Sequence, residues 1–160
     1  MVIELRAITP DDRERLVSMY DRLSPEARLR RFLTPKPALS ARELAFLTEV
    51  DQVRHVAVAA VDRRDGSIVG TARYVQEARR PWVADVAIEV VDEHQNRGIG
   101  VVLAAAIVER ARANGFRLLT ATTLWDNRPA RALLRRFRFR LRASSRGEIE
   151  LERALEPSTS

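Results

Sequence analysis

Gln95-Asn96-Arg97-Gly98-Ile99-Gly100 lies between a β-type run and a long helical pattern, and it is the segment best suited to chemistry. Glycines two positions apart at a strand-to-helix junction let the backbone turn tightly, and a ligand can approach without meeting a Cβ. The N–H groups of a first helical turn have no intrahelical partner, and with the helix dipole behind them they form an anion site. A pyrophosphate fits such a site, held by the backbone from Gln95 through Val101 with charge-assisted help from Arg97. The segment is not a dinucleotide fingerprint, because Leu103 occupies the place of the third glycine. It also lacks the Gly-Lys-Ser/Thr ending of a P-loop.

Two carboxylates precede this turn. Asp85 and Glu89 fall in a β-rich run over residues 82–91, and strand alternation places them on one face with Ala87 between. A carboxylate so placed can take a proton from a nucleophile, or it can simply face solvent or pair with one of the many arginines. Asn127 follows a second β-run and opens a helix, where its side chain suits an N-cap. His94 stands beside the glycine turn, lining it or lying in exposed loop, and His55 begins a strand in a structural role. Trp82 and Trp125 read as packing residues. Without cysteine there is no thiol nucleophile, disulfide or thiolate metal site, and two separated histidines do not make a zinc site.

The 160 residues match one ordinary domain, and 46% hydrophobic with 31% charged residues is the balance of a soluble globular protein. No run approaches the ~18–20 apolar residues of a membrane span, and the N-terminus lacks a secretory pattern. The expected location is the cytoplasm, with no membrane partner. A net charge of +6 attracts phosphates. Lys36 is the only lysine, and the remaining positive side chains are arginine. A nucleic-acid partner is not expected, since there is no binding motif, no basic stripe on a helix face and only 6% aromatic residues.

The positioning elements follow from local signals. Residues 2–7 form a first strand, and Thr9-Pro10-Asp11-Asp12 starts a helix with an N-cap type, a first-turn proline and acids. Ser24-Pro25-Glu26 repeats the signal for a helix to about Leu33, broken by Pro35 and Pro37. Ser40-Ala41-Arg42-Glu43 is a capping box. Runs at 55–61 and 67–75 flank a hairpin turn ending at Gly66. A helix over 98–114 ends at Gly115, residues 118–123 form a strand, 127–137 a helix, and two short strands pair across Gly147. This order predicts an α+β domain over residues 1–160, with a mixed, mostly antiparallel sheet of about six or seven strands and about four or five helices. The tail, 155–160, is expected to fray.

The constellation resembles the GNAT N-acetyltransferase superfamily. Its Gln/Arg-x-x-Gly-x-Gly/Ala hallmark falls on Gln95, Gly98 and Gly100, its asparagine after the next strand on Asn127, and a later aromatic on Phe139. The segments 22–32 and 39–57 are further similar to the catalytic domain of bacterial protein-lysine acetyltransferases. The resemblance implies acetyl-CoA as acyl donor, without a metal, in a monomer or homodimer. It implies that the backbone of Ile88 and Val90 pairs with the pantetheine arm, and that Asn127 touches the cofactor. Relatives that modify proteins place a glutamate where Asp85 stands, and Glu89 is the alternative base, since it lies nearer the splay of the strand. The expected reaction is transfer of acetyl to a protein lysine, the alternatives being a small amine acceptor or a silent acyl-CoA-binding module. Leu134 replaces a tyrosine that many members use to reprotonate the thiolate, and Arg138 replaces the usual glycine before Phe139.

Overall fold

The computed structural model describes residues 2–32 and 38–156. The chain runs through β1 (Ile3–Ala7), a short 3-10 turn (Pro10–Asp12), α1 (Arg13–Asp21), α2 (Pro25–Phe32) and α3 (Ala41–Thr48). It continues through β2 (His55–Asp62), β3 (Ile68–Gln76), β4 (Val83–Val90), α4 (Ile99–Ala113), β5 (Leu118–Leu124), α5 (Arg128–Arg136), β6 (Arg140–Ser145) and β7 (Glu148–Ala154). Pro35 and Pro37, expected to break the second helix, lie outside the described residues.

Local chemistry sets the boundaries. At the start of α3, Ser40 Oγ accepts the Glu43 N–H at 3.1 Å and Glu43 Oε1 accepts the Ser40 N–H at 3.0 Å, the expected capping box. Ahead of α1, Asp12 accepts the Thr9 N–H at 2.9 Å and both guanidinium nitrogens of Arg6 at 2.8 and 2.7 Å. The Arg6 hydrogen bonds hold the Asp12 carboxyl below its usual pKa, against the opposing effect of burial.

One sheet carries all seven strands in the order β1-β2-β3-β4-β5-β7-β6. Every pairing is antiparallel except β4 with β5. Helices cover the two faces of its centre. Gly70 of β3 looks toward Leu103 of α4, while Arg73, at odd spacing on the same strand, donates to the Leu47 carbonyl of α3 at 3.1 Å. Hence α4 lies on one face and α1 with α3 on the other. Strand β2, covered on both sides, is buried from Val56 through Asp62 and reads as a continuous apolar run instead of an alternation. The C-terminal boundary falls later than the expected 155, because the Leu155 side chain is buried and its N–H donates to the Arg117 carbonyl at 2.8 Å.

Candidate active site

The one parallel junction is short. Residues 83–85 of β4 pair with 118–120 of β5, and there the two strands part. Beyond the fork β4 stays paired to β3 as far as Val90, and β5 stays paired to β7 as far as Leu124. The gap between them is a cleft of about 710 Å³, floored by β4 residues including Ile88 and Val90. Ser24 and Ala27 at the start of α2 line it on one face. The beginning of α4 and the side of α5 line it on the other. The cleft therefore passes through the sheet, so two ligands can meet at the fork from opposite faces.

At its α4 end lies the glycine turn. Asn96 and Gly98 both take left-handed backbone, with φ of 62° and 81°, and Gly98 is the residue that starts α4. Gln95 ties the turn to the strand end, its amide donating to the Val90 carbonyl at 3.3 Å. The side chain of Ile99 is buried in the core, so this position offers the cleft only its backbone. Gly100 and Val101 line the wall, and a Cβ on Gly100 would sit 3.5 Å from Leu133 of α5, an ordinary contact. Gln95, Asn96, Gly98, Gly100, Val101 and Asn127 are thus brought together, while Arg97 is exposed and stands off the lining. A turn with a left-handed glycine at the head of a 15-residue helix suits an approaching diphosphate.

Both β4 carboxylates face the α2 side and each accepts a threonine hydroxyl. Thr71 of β3 donates to Glu89 Oε1 at 2.6 Å, and Thr120 of β5 donates to Asp85 Oδ1 at 2.8 Å. Glu89 is part of the cleft lining and only partly exposed. Asp85 is exposed, lies outside the lining, and is the last residue paired before the fork. Sequence reading offered no sign of either threonine, since partners across strands depend on register.

Asn127 takes the capping role expected of it and stands at the cleft. Its Oδ1 accepts the Ala130 N–H at 3.3 Å, capping α5, and the residue also lines the cleft. Leu134 lines the cleft without offering a hydroxyl. Arg138 adopts φ of 67° where a glycine would be at ease, and Phe139 is buried just ahead of β6. His94 is buried against the cleft instead of lying in exposed loop. The two tryptophans are corrections: Trp82 is 49% and Trp125 61% exposed. Trp82 contributes through its backbone, whose carbonyl accepts the Arg117 and Leu118 N–H groups at the start of β5. Sequence reading also missed Ser24, Ala27 and Arg136 among the lining residues. Arg28 lies over the Tyr20 ring at 4.5 Å, and the side chains of Arg30 and Arg31 fall outside the description.

A mixed sheet forked beside a glycine turn that opens a long helix is the scaffold of an acyl-CoA-dependent acyltransferase. The chain belongs to the acetyltransferase (GNAT) family, whose sequence model matches residues 16–139. Acetyltransferase Pat of Mycolicibacterium smegmatis is 33% identical over 132 residues, which cover 82% of this chain and 39% of that protein. Acetyltransferase PA5475 of Pseudomonas aeruginosa is 31% identical over 131 residues, covering 81% of this chain and 70% of that protein. Among solved structures, the GNAT domain of S. lividans PAT superposes with a TM-score of 0.89 at 34% identity, covering 96% of this chain and 90% of that one. The chain therefore spans well under half of the mycobacterial relative but nearly all of the S. lividans domain. The α+β architecture, the enzyme class and acetyl-CoA as acyl donor follow at the level of the family. No described helix is long and apolar enough to cross a membrane.

Proposed function

We propose that this domain transfers the acetyl group of acetyl-CoA to a lysine side chain of a protein, with Glu89 as general base. The observation that carries the reading is the Glu89 carboxylate, held by Thr71 on the α2 face where the cleft crosses the sheet. The donor enters from the α4–α5 side. Its diphosphate lies on the amides around Gly98 and Gly100, Asn127 supports it from α5, and its pantetheine arm pairs with the free edge of β4 at Ile88 and Val90. The amine arrives over α2. A lysine ammonium has a pKa near 10.4, so supplying its neutral form at pH 7 costs about 4 kcal/mol. Glu89 offsets this by accepting the proton as the nitrogen attacks the thioester carbonyl. The Thr71 hydroxyl aims the carboxylate throughout. The thiol of CoA has a pKa near 8.5 and can leave as thiolate without a tyrosine in the place of Leu134. The likeness of segments 22–32 and 39–57 to lysine acetyltransferase domains supports a protein acceptor.

Asp85 supports a second reading. It stands at the apex of the fork, on the same strand face, where the resemblance puts a glutamate, and it could take the proton through water. Release of CoA thiol is measured against pH with a panel of proteins and amines. The expectation is that Glu89→Gln lowers kcat/KM by about 10²–10⁴-fold at neutral pH, leaving CoA affinity intact. Asp85→Asn is expected to cost less than about tenfold. The opposite ranking moves the base to Asp85, and thiol release with small amines alone rejects a protein acceptor.

A further inference from the structure

Helix α5 separates two cavities that share no lining residue. Its Leu133 and Leu134 face the cleft. Arg131 and Arg135, one helical turn apart, face a second cavity of about 340 Å³ between α5 and the β6–β7 ribbon. The floor of this cavity is apolar, formed by Phe139, Leu141, Ile149 and Leu151, and Arg140 at the head of β6 completes its rim.

Strand alternation segregates charge across the ribbon. Ile149 and Leu151 of β7 face the cavity, so Glu148, Glu150 and Glu152 lie on the opposite face. There Arg142 answers Glu150 at 3.0 Å and Glu152 at 3.6 Å. On the α5 side the lining holds three guanidiniums and no acid among the described residues. Arg131 donates to the Trp125 carbonyl at 2.9 Å, which fixes it at the rim. Arg135 and Arg140 are exposed and make neither an ion pair nor a side-chain hydrogen bond among the described residues. Beside them Leu141 is 62% exposed, although it stands opposite buried Leu151 across the ribbon.

Unanswered cations around an uncovered apolar floor call for one kind of guest, an oxyanion head on an apolar body. Guanidinium forks match carboxylate and phosphate geometry alike. The cavity falls at the small end of the range of about 300–1,000 Å³ over which apolar pockets with a few convergent polar groups hold small molecules. We propose that it is a second binding site, separate from the cleft, for a small organic carboxylate or phosphate with a short apolar chain. Arg135 and Arg140 grip the head, and the chain lies over Leu141.

Isothermal titration of the full chain in saturating CoA, which keeps the cleft filled, tests this with octanoate and octyl phosphate as probes. Octanol, which lacks the charged head, and inorganic phosphate, which lacks the chain, are the controls. At least one probe is expected to bind with a stoichiometry of one and about tenfold or more tighter than either control, the scale of a charge-assisted contact. Arg135→Gln and Arg140→Gln should each weaken that probe by about tenfold while leaving octanol and CoA binding unchanged. Both side chains are exposed, so thermal melting should show the variants folded like the wild type. A chain that binds neither probe overturns the proposal. So does a control that binds as tightly as the probes, which would leave only greasy or only charged surface. Arginine variants that hold the probe as the wild type does overturn it as well, because the site would lie elsewhere.

Discussion

Gly98→Ala separates what the backbone needs from what the ligand needs. Gly98 has φ of 81°, and nothing lies within 4 Å of the place a Cβ would take, so alanine meets no steric obstacle in the protein. The cost to the fold is then conformational, about 1–2 kcal/mol for left-handed backbone without glycine, or about 2–4 °C of melting temperature per kcal/mol for a domain of this size. Gly66, in the β2–β3 hairpin, is a matched control, with φ of 75° and an equally open Cβ site far along the chain. The two alanine variants should therefore melt lower by similar amounts. They should differ in CoA binding. At Gly98 the added methyl stands where a diphosphate would meet the first-turn amides, and losing one or two such charge-assisted bonds weakens affinity by about 10–100-fold. At Gly66 calorimetry should find the wild-type affinity. If Gly98→Ala is destabilised like Gly66→Ala yet binds CoA as the wild type does, the phosphate seat is elsewhere and the account of the α4 turn is wrong.

Two further outcomes concern the frame. A Cβ on Gly70 would lie 2.9 Å from the Glu89 carbonyl and 3.0 Å from Leu103, so Gly70→Ala should lower stability by about 1–3 kcal/mol, read as the urea midpoint. An unchanged midpoint would show that α4 is not held against β3 as described. Asp12→Asn should cost about 2 kcal/mol or more at pH 7, because it breaks a buried carboxylate's bond to Arg6. The folded pKa of Asp12 is depressed, so its contribution is present above the unfolded value near 3.9 and is lost as pH falls through the folded one. The gap between wild type and variant should close on acidification, and a gap constant down to pH 2 would refute this assignment.

The site was legible in the sequence where its parts are local. The glycine turn, the Ser40 capping box and the Gly66 hairpin announce themselves because each is a conformational demand met by a residue type within a few positions. Asp85 and Glu89 could be placed on one face by alternation alone. Their threonine partners could not, because Thr71 and Thr120 reach them through strand register that only folding fixes. Gly70 gave no signal either. It needs no special φ, and its smallness matters only where α4 crosses. Arg136 was hidden among arginines of the same helix, and what distinguishes it is which side of α5 faces the cleft. Leu155, assigned to a fraying tail by its nearness to the end, is pinned by a bond to Arg117, just ahead of the neighbouring strand β5.

The fork leaves an unfinished border in the middle of the sheet. From residue 86 to 90 the side of β4 turned toward β5 presents peptide groups with no neighbouring strand, the kind of margin that elsewhere recruits stray chains and seeds aggregation. Here it is recessed in a cleft lined by α2 and α5, which cover it from opposite faces of the sheet. If the pantetheine arm pairs with this border as proposed, amide-exchange protection along 86–90 should rise when CoA is bound and fall when it departs.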